Sequence, residues 1–411
     1  MRILYVTNGF PYPLTSGYLR HYFLIRELAR WHGVTLLSIG GADFVPEHAQ
    51  ALVSVTDRVL TFESANGSRS LGRKAKARLR RLLGGVRADS PARRLGEAAA
   101  ALARDEDFDV VLFSGKRTYP ALAFLHGLPL VVDMCDATSA RIRGSFRVAP
   151  PARLPLLALD YLEVRRVERG LAARADHLVF VSCRDRDTLL PDLVRGRAEP
   201  RATVVPNGVD LDYWRRASQE LGRDHVVFTG AMDYPPNEDA ALRLIETIMP
   251  LVRRSVPAAH LLVVGRDPTR RLVKAGTARG VTVTGFVDDV RPYLERAAVF
   301  AAPLRFGAGI QNKVLEAMAM EVPTVASSLA ADGLRTDDGR TPPIAVADDP
   351  RPFAELVVER LLVAAEGSTP DEEARRFVSE CFSWSAAGEL LEEALRSVAA
   401  EARRPAGVVK A

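Results

Sequence analysis

Short runs of apolar, β-branched residues alternate along this chain with segments whose apolar positions recur at helical spacing. Residues 2–7 and 34–39 are runs of the first kind, and residues 18–29 between them carry one apolar helical face. Runs at 110–113, 130–132, 177–181 and 203–205 extend the series. The pattern then restarts, with strands expected at 225–229, 260–264, 281–284, 299–303, 324–326 and 344–347 and helices at 238–253, 291–297 and 311–320. Such alternation predicts a parallel, doubly wound α/β sheet with ligands at the carboxyl ends of its strands, here twice over. The expected organisation is a first domain at 1–206, a second at 207–384, and a final helix and tail at 385–411. The hinge falls near 207–219, and no short-period repeat interrupts the pattern.

Length and composition agree with two soluble domains. The 411 residues are 47% hydrophobic and 26% charged, and no apolar run reaches the roughly 18 residues of a spanning helix. The opening Met1-Arg-Ile-Leu-Tyr-Val-Thr7 reads as a buried first strand and not as a signal peptide, so a cytoplasmic location is expected. Cys135, Cys183 and Cys381 are too scattered for a disulfide framework or a metal motif and read as small buried hydrophobes.

The net charge of +5 is concentrated in residues 68–87, where Leu79, Leu82 and Leu83 lie among arginines and lysines. A basic amphipathic helix of this kind fits an anionic membrane surface; a solvated helix, an acceptor-side patch or packing on the protein's own core are the alternatives. Nucleic acid is not an expected partner, since the segment has no interleaved aromatics and no recognition motif occurs elsewhere.

Residues 303–328 concentrate the chemistry. The apolar run at 299–304 ends in a loop holding Gly307 and Gly309, a helix follows from Gln311, and Pro323 opens the next strand. Glycines let the backbone approach a phosphate, first-turn amides and the helix dipole favour its charge, and Arg305 and Lys313 add cationic donors. Glu316 stands one turn beyond Asn312 and Lys313, where a carboxylate can accept two hydroxyls of a ribose. The bland alternatives are a surface arginine at 305 and a helix-face pairing of Glu316 with Lys313 or Asn312.

This stretch resembles the donor-site signature of retaining GT-B glycosyltransferases, the group that includes glycogen synthases, sucrose synthases and bacterial cell-surface mannosyltransferases. Within that group the sequence is similar to the branch of PEP-CTERM or exopolysaccharide-associated sugar transferases. Residues 10–17, 131–139, 204–210 and 228–237 carry the resemblance further, so it covers nearly the whole chain. It implies two Rossmann-like domains facing a cleft, with the last helix crossing back to the first domain. The implied reaction moves a hexose from a nucleoside diphosphate sugar, which is a substrate and not a cofactor, to a glycan, lipid-linked or natural-product hydroxyl. Neither a metal nor a cofactor is expected.

The resemblance also implies roles. Arg305 and Lys313 would bind the diphosphate and assist catalysis, with Gly307, Gly309, Ile310, Gln311 and Asn312 along the donor loop and Glu316 on the ribose. Gly17, Asn207 and Gly230 would approach the donor, and Phe286 would frame its base. Asp133 and Asp136 follow an apolar strand and would orient the acceptor hydroxyl or take its proton; the competing reading has Asp136, Thr138 or Ser139 capping the next helix. His21, in the first turn of its helix, reads as structural or solvated. Peripheral contact with the inner membrane face would run through 68–87.

The chain departs from the family pattern in three places. Residues 231–236 hold no cation where relatives place an Arg and a Lys, Ala308 stands where a glutamate usually touches the sugar, and residues 111–116 lack the common cleft histidine. Retention would then rest on front-face departure assisted by the diphosphate. A nucleotide-sugar epimerase of the same fold and a non-catalytic glycosyltransferase-like subunit are the rival readings.

Overall fold

The computed structural model describes residues 1–14, 19–40, 44–63, 90–196, 200–217, 222, 225–367 and 369–403. The expected basic segment 68–87 and Gly17 lie outside the described residues. The chain forms two compact units. One holds Met1–Val181, Asp185–Pro206 and the chain from Trp384; the other holds Ser182–Arg184 and Asn207–Ser383.

The sheet of the first unit has seven parallel strands: β1 (Arg2–Thr7), β2 (Gly33–Gly40), β3 (Arg58–Glu63), β4 (Val110–Ser114), β5 (Leu130–Asp133), β6 (His177–Phe180) and β7 (Arg201–Val204). Their order is β3-β2-β1-β4-β5-β6-β7. Strand order reverses between β1 and β4, which opens a crevice at their carboxyl ends. β4 and β5 are buried along their whole length, as strands covered on both faces must be. β3 is absent from the expectation because Arg58-Val-Leu-Thr-Phe-Glu63 is a half-buried edge strand with polar residues at both ends.

The second unit repeats the plan with six parallel strands: β8 (His225–Thr229), β9 (His260–Val264), β10 (Val281–Val283), β11 (Val299–Ala302), β12 (Thr324–Ala326) and β13 (Ala345–Val346). Their order is β10-β9-β8-β11-β12-β13, with the reversal between β8 and β11. The expected helix at 238–253 is longer and interrupted. It runs as Pro235–Arg243, a single π turn Leu244–Ile248, and Met249–Ser255. Pro250 has no amide to continue the hydrogen-bond ladder, and the wide turn just before it absorbs that loss.

The last helix, Trp384–Ala402, belongs to the core of the first unit, where Trp384, Leu391, Leu395 and Val398 join Tyr5, Phe23, Leu24 and Leu112. It packs against the helix Leu19–Leu28. The Trp384 ring stacks on Phe23 at 4.6 Å with an interplanar angle of 8°, and a Cβ on Gly388 would stand 2.6 Å from Glu27 Cβ, so the two backbones approach closely. Replacing Trp384 by Ala should lower the unfolding free energy of this unit by roughly 3–5 kcal/mol, the usual cost of emptying a buried tryptophan site. Denaturant unfolding followed by circular dichroism checks this, and a loss below about 1 kcal/mol would mean that the helix is not part of the core.

Candidate active site

In the second unit the chemistry gathers where β8, β9 and β11 end. Gly230 follows β8 at φ +152° and Gly265 follows β9 at φ +146°. A Cβ on Gly265 would stand 1.8 Å from the Gly230 carbonyl oxygen, and a Cβ on Gly230 would stand 2.6 Å from Asn237 Nδ2 and 3.3 Å from Lys313 Cε. Glycine is required at both places, because the space a side chain would take is already filled.

Beyond β11 the chain passes Gly307 and Gly309, the latter at φ +67°, and enters the helix Asn312–Ala319. The helix follows its apolar spacing: Val314, Leu315, Ala317, Met318 and Ala319 turn into the core, which leaves Asn312, Lys313 and Glu316 half-buried on the opposite face. No side chain caps its start. Asn207 Nδ2 donates to Asn312 Oδ1 at 2.9 Å, which joins the turn after β7 to the first residue of this helix. Lys313 Nζ donates to Gln311 Oε1 at 3.1 Å and lies 5.9 Å from the centre of the Phe228 ring. Burial pushes the Lys313 ammonium down to about 8 and the Glu316 carboxyl up to about 7, each partly offset by the charge of the other. Both groups therefore change charge close to neutral pH. A bound dianion would restore Lys313, because an opposite charge favours the protonated amine.

Arg305 stands differently from the expectation. Its guanidinium forks onto Asp239, with Nε on Oδ2 at 2.9 Å and Nη2 on Oδ1, so a diphosphate has to compete with this pair. Phe286 follows Gly285, which has φ +72°, and is 67% exposed. Ile310 and Gln311 are buried, and Gln311 Nε2 donates to the Ala308 carbonyl at 3.3 Å. Sequence reasoning missed Asn237 and Asp239 as neighbours of this site. Asn237 is buried, donates through Nδ2 to the Ala231 carbonyl at 2.9 Å, and keeps a buried Oδ1 without a hydrogen-bond partner. Its signal was its place just inside the helix start after Tyr234-Pro-Pro.

In the first unit, Thr7, Ser114 and Asp133 end β1, β4 and β5 side by side. Asp133 is 1% exposed and both its oxygens are engaged. Arg20 Nε donates to Oδ2 at 2.9 Å and the Cys135 amide to Oδ1 at 3.0 Å. Despite its burial, the Arg20 guanidinium holds the Asp133 carboxyl below the usual range. A carboxylate so committed is a poor proton acceptor. Asp136 is more open; its Oδ1 accepts from Lys116 Nζ at 3.2 Å and from Thr138 Oγ1 at 2.7 Å. Lys116 Nζ also donates to the Met134 and Asp136 carbonyls at 3.0 and 2.8 Å, and so holds this loop closed on itself.

The helix after the loop, Thr138–Ser145, is not capped by Asp136, Thr138 or Ser139. Carboxylates from later in the chain serve it instead: Asp185 accepts from the Ala137 amide at 2.7 Å and Glu168 from the Ser139 amide at 3.2 Å. His21 lies buried between Tyr5 OH, 2.8 Å from Nδ1, and Ser114 Oγ, 3.4 Å from Nε2. Burial pushes its pKa down to about 4, so it is neutral near pH 7 and serves the core.

Residues 223–362 match the family described as Glycosyl transferases group 1. A phosphatidyl-myo-inositol mannosyltransferase of Propionibacterium freudenreichii is 28% identical over 214 residues, 49% of this chain and 50% of that protein. A GDP-mannose-dependent alpha-(1-6)-phosphatidylinositol monomannoside mannosyltransferase of Mycobacterium tuberculosis is 29% identical over 300 residues, 63% of this chain and 72% of that protein. The chain spans about half the length of the first of these relatives. Among solved structures, sucrose-phosphate synthase from Thermosynechococcus elongatus superposes with a TM-score of 0.66 at 14% identity, over 98% of this chain and 100% of that one. HepE of Anabaena, solved in complex with UDP, gives 0.64 at 16% identity, over 97% and 100%. The fold is GT-B, with two Rossmann-like domains. The family match lies wholly within the second unit.

The Arg20–Asp133 pair yields a test independent of activity. Arg20→Leu leaves Asp133 buried without its counter-charge and should cost about 3–5 kcal/mol at pH 7. In the parent, a carboxyl pKa lowered on folding contributes stability above its unfolded value near 3.9, and this is lost as pH falls. In the variant the shift is upward, so the deficit should shrink as pH falls and Asp133 takes a proton. Urea unfolding across pH 4–7 reads this, and a deficit constant with pH would exclude an ionic origin.

Proposed function

We propose that the protein is a retaining glycosyltransferase that moves a hexose from a nucleoside diphosphate sugar to an acceptor hydroxyl. The observation that carries the reading is the half-buried Lys313–Glu316 face, with Lys313 packed beside the glycine turn at Gly230. Lys313 and the first amides of its helix would take the diphosphate as the glycosidic bond breaks, when the leaving group gains charge. Glu316 would accept the ribose hydroxyls, and the unpartnered Oδ1 of Asn237 would accept another hydroxyl of the donor.

Arg305 would join only by exchanging Asp239 for the diphosphate. Retention would follow from departure and attack on one face of the sugar, with the diphosphate itself taking the acceptor proton. Asp136 is the better of the two first-unit carboxylates for orienting the acceptor. The named activities of the relatives favour a mannosyl donor and a lipid-borne acceptor. The commitment of Arg305 to Asp239 and the alanine at 308 favour, as second reading, a subunit that binds a nucleotide without transfer.

Calorimetric titration with nucleoside diphosphates and their sugars tests the site. Selective binding by the parent should fall at least tenfold in Glu316→Ala and in Lys313→Ala; binding equal in all three would sink the assignment. Binding without sugar transfer to any acceptor in a radiolabel assay would select the second reading. Affinity should also peak between pH 7 and 8: below about 7 Glu316 takes a proton and loses acceptor capacity, and above about 8 Lys313 loses its charge. A profile flat from pH 6 to 9, or one unchanged in both variants, contradicts this.

A further inference from the structure

We propose that one face of the helix Leu154–Ala172, in the first unit, docks on an anionic lipid bilayer. Leu156, Leu159 and Leu162 stand out of this helix, 48%, 40% and 55% exposed. Their spacing of three places them on one stripe, and Arg166 and Arg169, also exposed, continue it. Where the leucines give way to arginines, Tyr161, Leu162, Arg165, Arg166 and Arg169 line an open pocket of about 430 Å³. Arg143, Arg147 and Arg153, just ahead of the helix, are exposed as well. The acidic groups of the helix are half-buried Asp160 and Glu163 and buried Glu168; Asp160, Glu163 and Arg166 are each already engaged, so Arg166 meets a phosphate as one of several partners, and Asp192 is held by Arg165 at 2.9 Å.

This combination selects the occupant. Leucines ask for an apolar phase and arginines for an anion, and the boundary between acyl chains and lipid phosphates offers both at one level. Arginine stems can lie along the apolar side while their guanidinium groups reach the phosphates. A second copy seated on the same face would bring its own arginines against these, a like-charge contact. No helix among the described residues is long and apolar enough to cross a membrane, so the contact is peripheral. The proposal uses none of residues 68–87, and it stands or falls without reference to sugar transfer, since its readout is vesicle capture.

The full chain is floated with vesicles of phosphatidylcholine alone and of phosphatidylcholine with phosphatidylglycerol. Capture is expected only by the anionic vesicles and should weaken as salt is raised. Arg166→Glu with Arg169→Glu should lower the partition coefficient more than about tenfold, and Leu159→Glu with Leu162→Glu should do likewise, with thermal unfolding unchanged because these side chains are exposed. Arg80→Glu with Arg81→Glu, in the separate basic segment, is the control. The proposal is overturned if both helix variants partition like the parent, if neutral vesicles capture equally well, or if the loss is confined to the control. Sedimentation velocity showing a dimer that Leu159→Glu with Leu162→Glu splits would assign the face to a second copy instead.

Discussion

Both sheets are parallel and covered on both faces, and this constraint governs where polar chemistry can occur. Along β4, β5 and β11 every residue is buried, so a charge there would have to be neutralised within the core. Beyond the carboxyl ends the backbone leaves the sheet, and in each unit the reversal of strand order keeps two of those ends from being roofed by one connection. Asp133, Lys116, Asp136, Lys313 and Glu316 stand at or beyond those ends or within about one helical turn of the next helix start. The two units use the opening differently. In the first, Arg20 pairs with Asp133 and Lys116 with Asp136. In the second, Lys313 and Glu316 lie on a face that burial has driven towards neutrality. A site poised in that way gains most from a ligand that brings its own charge and hydroxyls.

Much of the fold was legible because burial on both faces writes itself as continuous apolar runs. All six strands of the second unit were expected near their observed places, and so was the helix that carries Lys313 and Glu316, whose apolar spacing fixes which face it shows. What escaped was of two kinds. The edge strand at Arg58–Glu63 is half-solvated, so its sequence has no reason to be apolar. Pairings between distant residues left no local trace: nothing near Arg305 announces Asp239, and nothing near Ser139 announces that Glu168 would serve its amide. A guanidinium in a glycine-rich loop looks available until the fold shows what it already holds. The same limit applied to Asp133, whose place at a strand end was readable while its partner Arg20 was not.

The last helix bears on how the protein is made. Its residues Trp384, Leu391, Leu395 and Val398 complete the core of the first unit, whereas the second unit is almost wholly drawn from one uninterrupted stretch, Asn207–Ser383. Domains ordinarily become stable in the order in which they leave the ribosome. Here the order is inverted, because the earlier-made sheet must wait, with the surface beside Phe23 uncovered, until the residues of the second unit have been joined. A chain ending just short of Trp384 would therefore hold every residue of the second unit and still lack the aromatic ring that stacks on Phe23 and closes the core of the first.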